Sequence, residues 1–190
     1  TIMFRFLLAV CILGVSLSAA ALDLHGVKLA DKANVGGREL VLNGAGVRTR
    51  VVFKVYVGSL YLPQPAKDAA SVLAQSPRRI RLDLLRSLSA DQLADALLDG
   101  LKDNNTAAEL EAVKAESAQM VAAMKGFGDV KEGNVVTLDF IDGSTLIGLD
   151  DKLRASIAGE AFNKALTRVW LGDKPVQADL KRAMLGGAAS

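Results

Sequence analysis

The chain contains one histidine, His25, and one cysteine, Cys11. Each scarcity removes a class of chemistry. A Ser-His-Asp triad needs a histidine beside its nucleophile, and a histidine metal site usually needs several. The single His25 falls near the start of the mature chain, where order is usually poor, and reads as a solvated residue. Cys11 lies in an N-terminal apolar run that is expected to be removed. The mature part then has no thiolate nucleophile, no cysteine metal site and no disulfide. Aromatic residues make up only 5% of the chain, and the formal net charge is +2. No basic stripe interleaves with aromatics, so nucleic acid is not an expected partner. No metal and no cofactor are expected. Internal repeats and linker-like stretches are also missing, which leaves one domain.

What is present begins with an export pattern. Arg5 gives a short positive start, Phe6 to Leu17 is almost unbroken apolar sequence, and Ser18-Ala19-Ala20-Ala21 supplies small residues for cleavage. Those are the three parts of a secretory signal. The apolar core is shorter than the ~20 residues of a membrane-spanning helix, so an uncleaved anchor is the weaker alternative and no integral membrane span is expected. Val10, bulky and next to Cys11, argues against lipid attachment there. The expected division is a signal peptide over 1–21 and a single domain over 22–190, in a periplasmic or secreted protein. Loss of Arg5 leaves 22 Lys and Arg against 21 Asp and Glu, close to neutral. Nothing in the sequence specifies an oligomeric state.

Along the mature chain, Val27-Lys28-Leu29 and Arg38 to Leu42 read as short strands. Asn43-Gly44-Ala45-Gly46 carries a turn signal, because Asn and Gly tolerate positive φ. Val47 to Leu62 is the longest β run, rich in β-branched and aromatic residues, and Pro63 and Pro65 end it. Asp68 to Gln75 fits a short helix. Arg79 to Leu84 alternates and predicts a strand with one wet face. Ser89 and Thr106 each open a capping-box pattern, predicting helices to about Lys102 and through about Met124. Val135–Ile141 and Ser144–Leu149 flank Asp142-Gly143, a hairpin turn signal. Ala155 to Leu171 predicts an amphipathic helix, and Ala178 to Leu185 a last short one. Strands joined by hairpins, with grouped helices, give an α+β fold: a mainly antiparallel sheet covered by helices.

Alternate residues of a strand share a face. In the long β run, Arg48, Arg50, Val52, Lys54, Tyr56, Gly58 and Leu60 fall on one side. Val47, Val51, Phe53, Val57 and Tyr61 fall on the other, unless a bulge near the glycines shifts the register.

The segment Gly44-Ala45-Gly46-Val47-Arg48 through Tyr61-Leu62 resembles the chalcone isomerase family. Asn163-Lys164-Ala165, Leu171-Gly172 and Ala178-Asp179-Leu180-Lys181 extend the resemblance over nearly the whole mature chain. Its exported, compact form looks like the bacterial chalcone-isomerase-like branch. The resemblance implies an open-faced β-sandwich with a large antiparallel sheet, a helical layer and an apolar cleft between them. It implies little catalysis. Of the polar groups that cyclise chalcones in the plant enzymes, Arg48 matches the strand arginine. The strand threonine falls on Tyr56 and the late threonine on Val169. The helix from Ser89 offers no tyrosine, and no asparagine before Asn104. No catalytic residues are therefore expected, and Arg48 would be the one retained if the protein were active. The family also includes non-catalytic fatty-acid-binding members whose matching arginine faces the lipid head group.

Arg48 thus has three readings: a clamp for a ligand carboxylate, an internal salt bridge, or a remnant of isomerase catalysis. Tyr56 either hydrogen-bonds the same head group or fills the core. Tyr61 reads as structural, and Arg50 and Lys54 as solvated. Trp170, Met120 and Met124 sit at helical spacing and read as core. Arg78-Arg79-Ile80-Arg81 reads as a solvated strand end rather than a lipid contact. The expected function is binding of a small amphipathic carboxylate, a fatty acid, at Arg48 and Tyr56. A weak isomerase, or a ligand-free envelope interaction protein, are the alternatives.

Overall fold

The computed structural model describes residues 21–189. The export signal expected before Ala21 lies outside the described residues. Seven strands form one antiparallel sheet whose spatial order follows the chain: β3 (Lys32–Val35), β4 (Arg38–Arg50), β5 (Phe53–Leu62), β6 (Arg78–Leu84), β7 (Val135–Ile141), β8 (Ser144–Leu149) and β9 (Lys152–Ala158). Before it, β1 (Leu22–Leu24) and β2 (Val27–Leu29) pair as a small hairpin. Six helices are described: α1 (Ala69–Leu73), α2 (Ala90–Asn104), α3 (Ala107–Ala112), α4 (Lys114–Phe127), α5 (Glu160–Leu171) and α6 (Ala178–Met184). The architecture is the α+β sheet-and-helix arrangement expected from the element order.

Period-two alternation decides what each sheet face covers. On β5, Tyr56, Leu60 and Leu62 join the main core with Ile80, Leu82 and Phe140. The helices roof that face with Leu93, Leu97 and Leu101 of α2 and Phe162, Leu166 and Trp170 of α5. Met120, Met124 and Trp170 are almost fully buried, as their spacing predicted. The opposite face carries Ala45, Val47 and Val57, and Leu22, Leu24 and Val27 of the β1–β2 hairpin close over them. Tyr61 is buried on that side and donates its hydroxyl to the carbonyl oxygen of Ala30 at 2.9 Å. His25 stands in the turn between β1 and β2, exposed, with Nδ1 2.9 Å from Lys54 Nζ.

Several local expectations are corrected. Asn43-Gly44-Ala45-Gly46 is not a turn but lies inside β4. A Cβ on Gly44 would stand 2.0 Å from the Ala183 carbonyl oxygen, and one on Gly46 2.9 Å from the Ala183 Cβ. The glycines therefore admit α6 against the strand. The register does shift beside them, between Leu42 and Gly44. The Asn43 side chain there donates to the carbonyls of Ala66 and Met184 and accepts from the Ala66 amide.

The run Val47 to Leu62 is two strands, reversing at Val51-Val52 with Arg50 paired to Phe53. Val51 takes φ of 58°, a left-handed conformation unusual for a β-branched residue. No turn residue marks the reversal, so composition hides it. The segment from Ala155 begins as strand: β9 runs to Ala158, Gly159 breaks it at φ of 142°, and the helix starts at Glu160. The helix expected through Met124 is interrupted at Val113, whose buried side chain turns inward between α3 and α4.

Arg78 is not solvated. It is 3% exposed, lies over the Phe140 ring at 4.8 Å, and donates to Thr167 Oγ1, Asn163 Oδ1 and the Gln75 carbonyl. Burial lowers its pKa to about 10, which leaves it charged at neutral pH. Its neighbours form forked ion pairs, Arg79 with Asp139 and Arg81 with Asp83.

A candidate ligand cleft at Arg48 and Tyr56

The β4–β5 reversal does not separate Arg48 from Tyr56. They are cross-strand partners, Arg48 on β4 facing Tyr56 on β5. A second register shift follows at once, with Thr49 opposite Lys54, so Val55 is the extra residue. That bulge breaks the alternation, and Phe53, Val55 and Tyr56 all reach the same cleft.

Arg48 is half-buried. Its Nη1 donates to the Thr49 carbonyl oxygen at 2.6 Å and to Gln177 Oε1 at 3.4 Å. Gln177 fixes this end of the strand. Its Oε1 accepts from the Thr49 amide at 2.8 Å and its Nε2 donates to the Val47 carbonyl at 3.0 Å. Among the described residues no carboxylate forms a salt bridge with Arg48. Its Nε and Nη2 have no acceptor among them either. Those are the two nitrogens that Arg79 and Arg81 use for their forked carboxylate bonds.

Tyr56 is buried, and its hydroxyl accepts from Trp170 Nε1 at 3.0 Å. No acceptor for its own proton is present among the described residues. Burial pushes the phenol up to about 12, with the indole bond and the Arg48 charge opposing. It is a neutral donor at physiological pH.

Both residues line a cleft of about 740 Å³ between the sheet and the helical layer. This lies inside the ~300–1,000 Å³ range of small-molecule sites. Leu82, Leu93, Leu97, Val169, Trp170 and Val176 make it apolar along the interior. Gly100 on α2 lets that helix approach α5 closely, since a Cβ there would meet Val169 Cγ1 at 2.5 Å. Charge is divided between the walls. Arg48, Arg50 and Arg86 stand on the sheet side, Asp95, Asp99 and Asp103 recur every fourth residue along α2, and Lys174 adds one cation from the turn after α5. Among the described residues no cluster of three metal-ligating side chains occurs.

The model of a family described as chalcone isomerase-like matches residues 21–186. The chain belongs to the chalcone isomerase-like family. A solved structure of similar shape is that of a fatty-acid binding protein of Arabidopsis thaliana. It aligns over 82% of this chain and 96% of its own, with a TM-score of 0.58 and 11% sequence identity. At that identity the likeness is one of fold. A comparison with curated protein sequences gives no match.

Within this chalcone isomerase-like chain, both expected site residues, Arg48 and Tyr56, come together in the cleft. Val169, at the position the resemblance gave to a threonine, presents only methyl groups to it. Sequence reasoning missed Gln177, which carries no motif and acts only because the Gly172–Pro175 turn returns the chain to β4. It also missed the Trp170 indole as the donor to Tyr56. A buried tyrosine needs some polar partner, but nothing in the spacing says which. Arg86, whose guanidinium lies 4.7 Å from the Phe53 ring centre, was likewise unmarked.

Proposed function

We propose that the protein is an exported, non-catalytic carrier of a small amphipathic carboxylate, a fatty acid, whose head group is held by Arg48. One observation carries this reading. Arg48 stands at a cleft with an apolar inner wall and has two parallel donors, Nε and Nη2, that no carboxylate of the described chain occupies. A guanidinium beside apolar walls gains most from an anion that meets it with two hydrogen bonds. Tyr56, neutral and with its proton unassigned, can donate a third bond to the same carboxylate. The acyl chain then follows the apolar interior past Leu93, Leu97 and Trp170. The Arabidopsis relative in fold is a fatty-acid binding protein, which agrees with this use of the cleft. Chalcone cyclisation has less support, because the walls place no further polar group to orient a ketone where Val169 stands.

Native mass spectrometry of gently purified protein tests the reading. The expected spectrum contains a chain beginning at Ala21 or Leu22 with a co-purified fatty acid, and Arg48→Ala loses the adduct. A chain that retains Met3 would contradict export. A protein that neither carries nor takes up palmitate would contradict the carrier.

A further inference from the structure

Three of the four exposed large apolar side chains among the described residues sit together at the β4–β5 tip, the fourth being Leu153. Val51 is 87% exposed, Val52 78% and Phe53 56%. Three consecutive large apolar side chains lie open to solvent. The cations Arg50 and Lys54 flank them directly, and Arg86 caps the Phe53 ring at 4.7 Å. From Arg48 to Lys54 the chain carries three cations and no acid. The acids of the cleft, Asp95, Asp99 and Asp103, belong to the opposite wall on α2. Three of the four cations that line the cleft, Arg48, Arg50 and Arg86, therefore stand on the sheet-side lip, and the fourth, Lys174, follows α5.

The tip is also continuous with the cleft. Arg50, Val51 and Phe53 are at once exposed and part of its lining. Val51 holds a left-handed backbone that glycine would adopt without strain. An apolar side chain is thus kept where the turn itself favours none.

We infer that the β4–β5 tip docks on an anionic phospholipid bilayer, with Val51, Val52 and Phe53 inserted among the acyl chains and Arg50, Lys54 and Arg86 on the head groups. A protein partner fits the tip less well. A specific protein interface buries ~800 Å² per partner around an apolar centre, more than a hairpin tip provides. A bilayer needs no shape complementarity, and a cation near its surface is attracted by anionic lipid. This deepens the carrier reading and rests on it for its purpose: docking brings the cleft mouth to the acyl chains. The docking itself depends only on the tip.

Vesicle co-sedimentation tests it, using phosphatidylcholine alone and phosphatidylcholine with phosphatidylglycerol in equal parts. Wild type should bind the mixed vesicles, bind the neutral ones weakly, and lose binding as salt rises. Val52→Glu and Lys54→Glu are exposed and outside the cleft lining, so melting temperature and palmitate affinity in solution should stay at wild-type values. Each should weaken mixed-vesicle binding about tenfold or more, through lost insertion or reversed charge. The inference is overturned by equal binding to both vesicle types, by no binding, or by binding that neither variant changes. It is also overturned if Val52→Glu instead abolishes a dimer, which would assign the tip to a second copy of the chain. Vesicle binding of the expected kind by a protein that takes up no palmitate would keep the docking and remove the carrier reading.

Discussion

A half-buried guanidinium beside apolar side chains is costly unless hydrogen bonds and an anion offset its desolvation. Arg48 has the first from Thr49 and Gln177 and lacks the second among the described residues. The adjacent Tyr56 differs because it is neutral. Burial pushes its pKa up to about 12, above the ordinary value of 10.0. The sign of the stability effect follows. Below pH 10 both folded and unfolded chains keep the phenol proton, and the favourable term is fully present. Between about pH 10 and pH 12 the unfolded chain releases that proton first. Stability then falls as pH rises, by roughly 2–3 kcal/mol at the upper end. Tyr56→Phe should lack this part of the alkaline slope. Urea unfolding of the two proteins across that pH interval checks it, and parallel slopes would mean that Tyr56 ionises freely in the folded state.

At the scale of elements, two glycine exchanges should have opposite signs. Gly44→Ala puts a methyl group against the Ala183 carbonyl and should push α6 off β4, costing about 1–3 kcal/mol. Val51→Gly relaxes a left-handed backbone at an exposed tip and should raise stability by up to about 1 kcal/mol. Thermal unfolding measures both, and a neutral Gly44→Ala would mean that α6 is not packed on the strand. These positions also mark how far the sequence was legible. The capping boxes at Ser89 and Thr106 are local, and both helices start where the motifs place them. The Asp142-Gly143 turn is local too, and Ile141 pairs with Ser144 across it. The reversal at Val51-Val52 was hidden because both residues favour strands. The glycines at 44 and 46 misled because they serve a helix more than a hundred residues later. Arg78 was misread because its partners, Asn163 and Thr167, lie on α5. At the site, the sequence reading put Arg48 and Tyr56 on one face by alternation along a single strand, whereas hairpin pairing across β4 and β5 is what sets them side by side. Gln177 and Trp170 reach them only through the tertiary fold.

On the scale of the whole molecule, one sheet does two jobs with its two faces. The β1–β2 hairpin covers the outer face over Ala45, Val47 and Val57, and the inner face carries both the core and, beside β4 and β5, the cleft. Among the described residues no helix is long and apolar enough to cross a membrane. Whether Arg48 holds a carboxylate is tested most directly by a two-by-two comparison. Palmitate and its methyl ester are each titrated into wild type and Arg48→Ala. Wild type should prefer the acid, and Arg48→Ala should lose about 10- to 100-fold in affinity for the acid, the worth of a charged hydrogen bond. The variant should bind the ester as wild type does. Its unfolding free energy should fall by about 1 kcal/mol or less, because no carboxylate of the chain is stranded. Equal affinity of wild type for acid and ester, with a stability loss of about 3–5 kcal/mol in Arg48→Ala, would contradict the account and make Arg48 part of the framework.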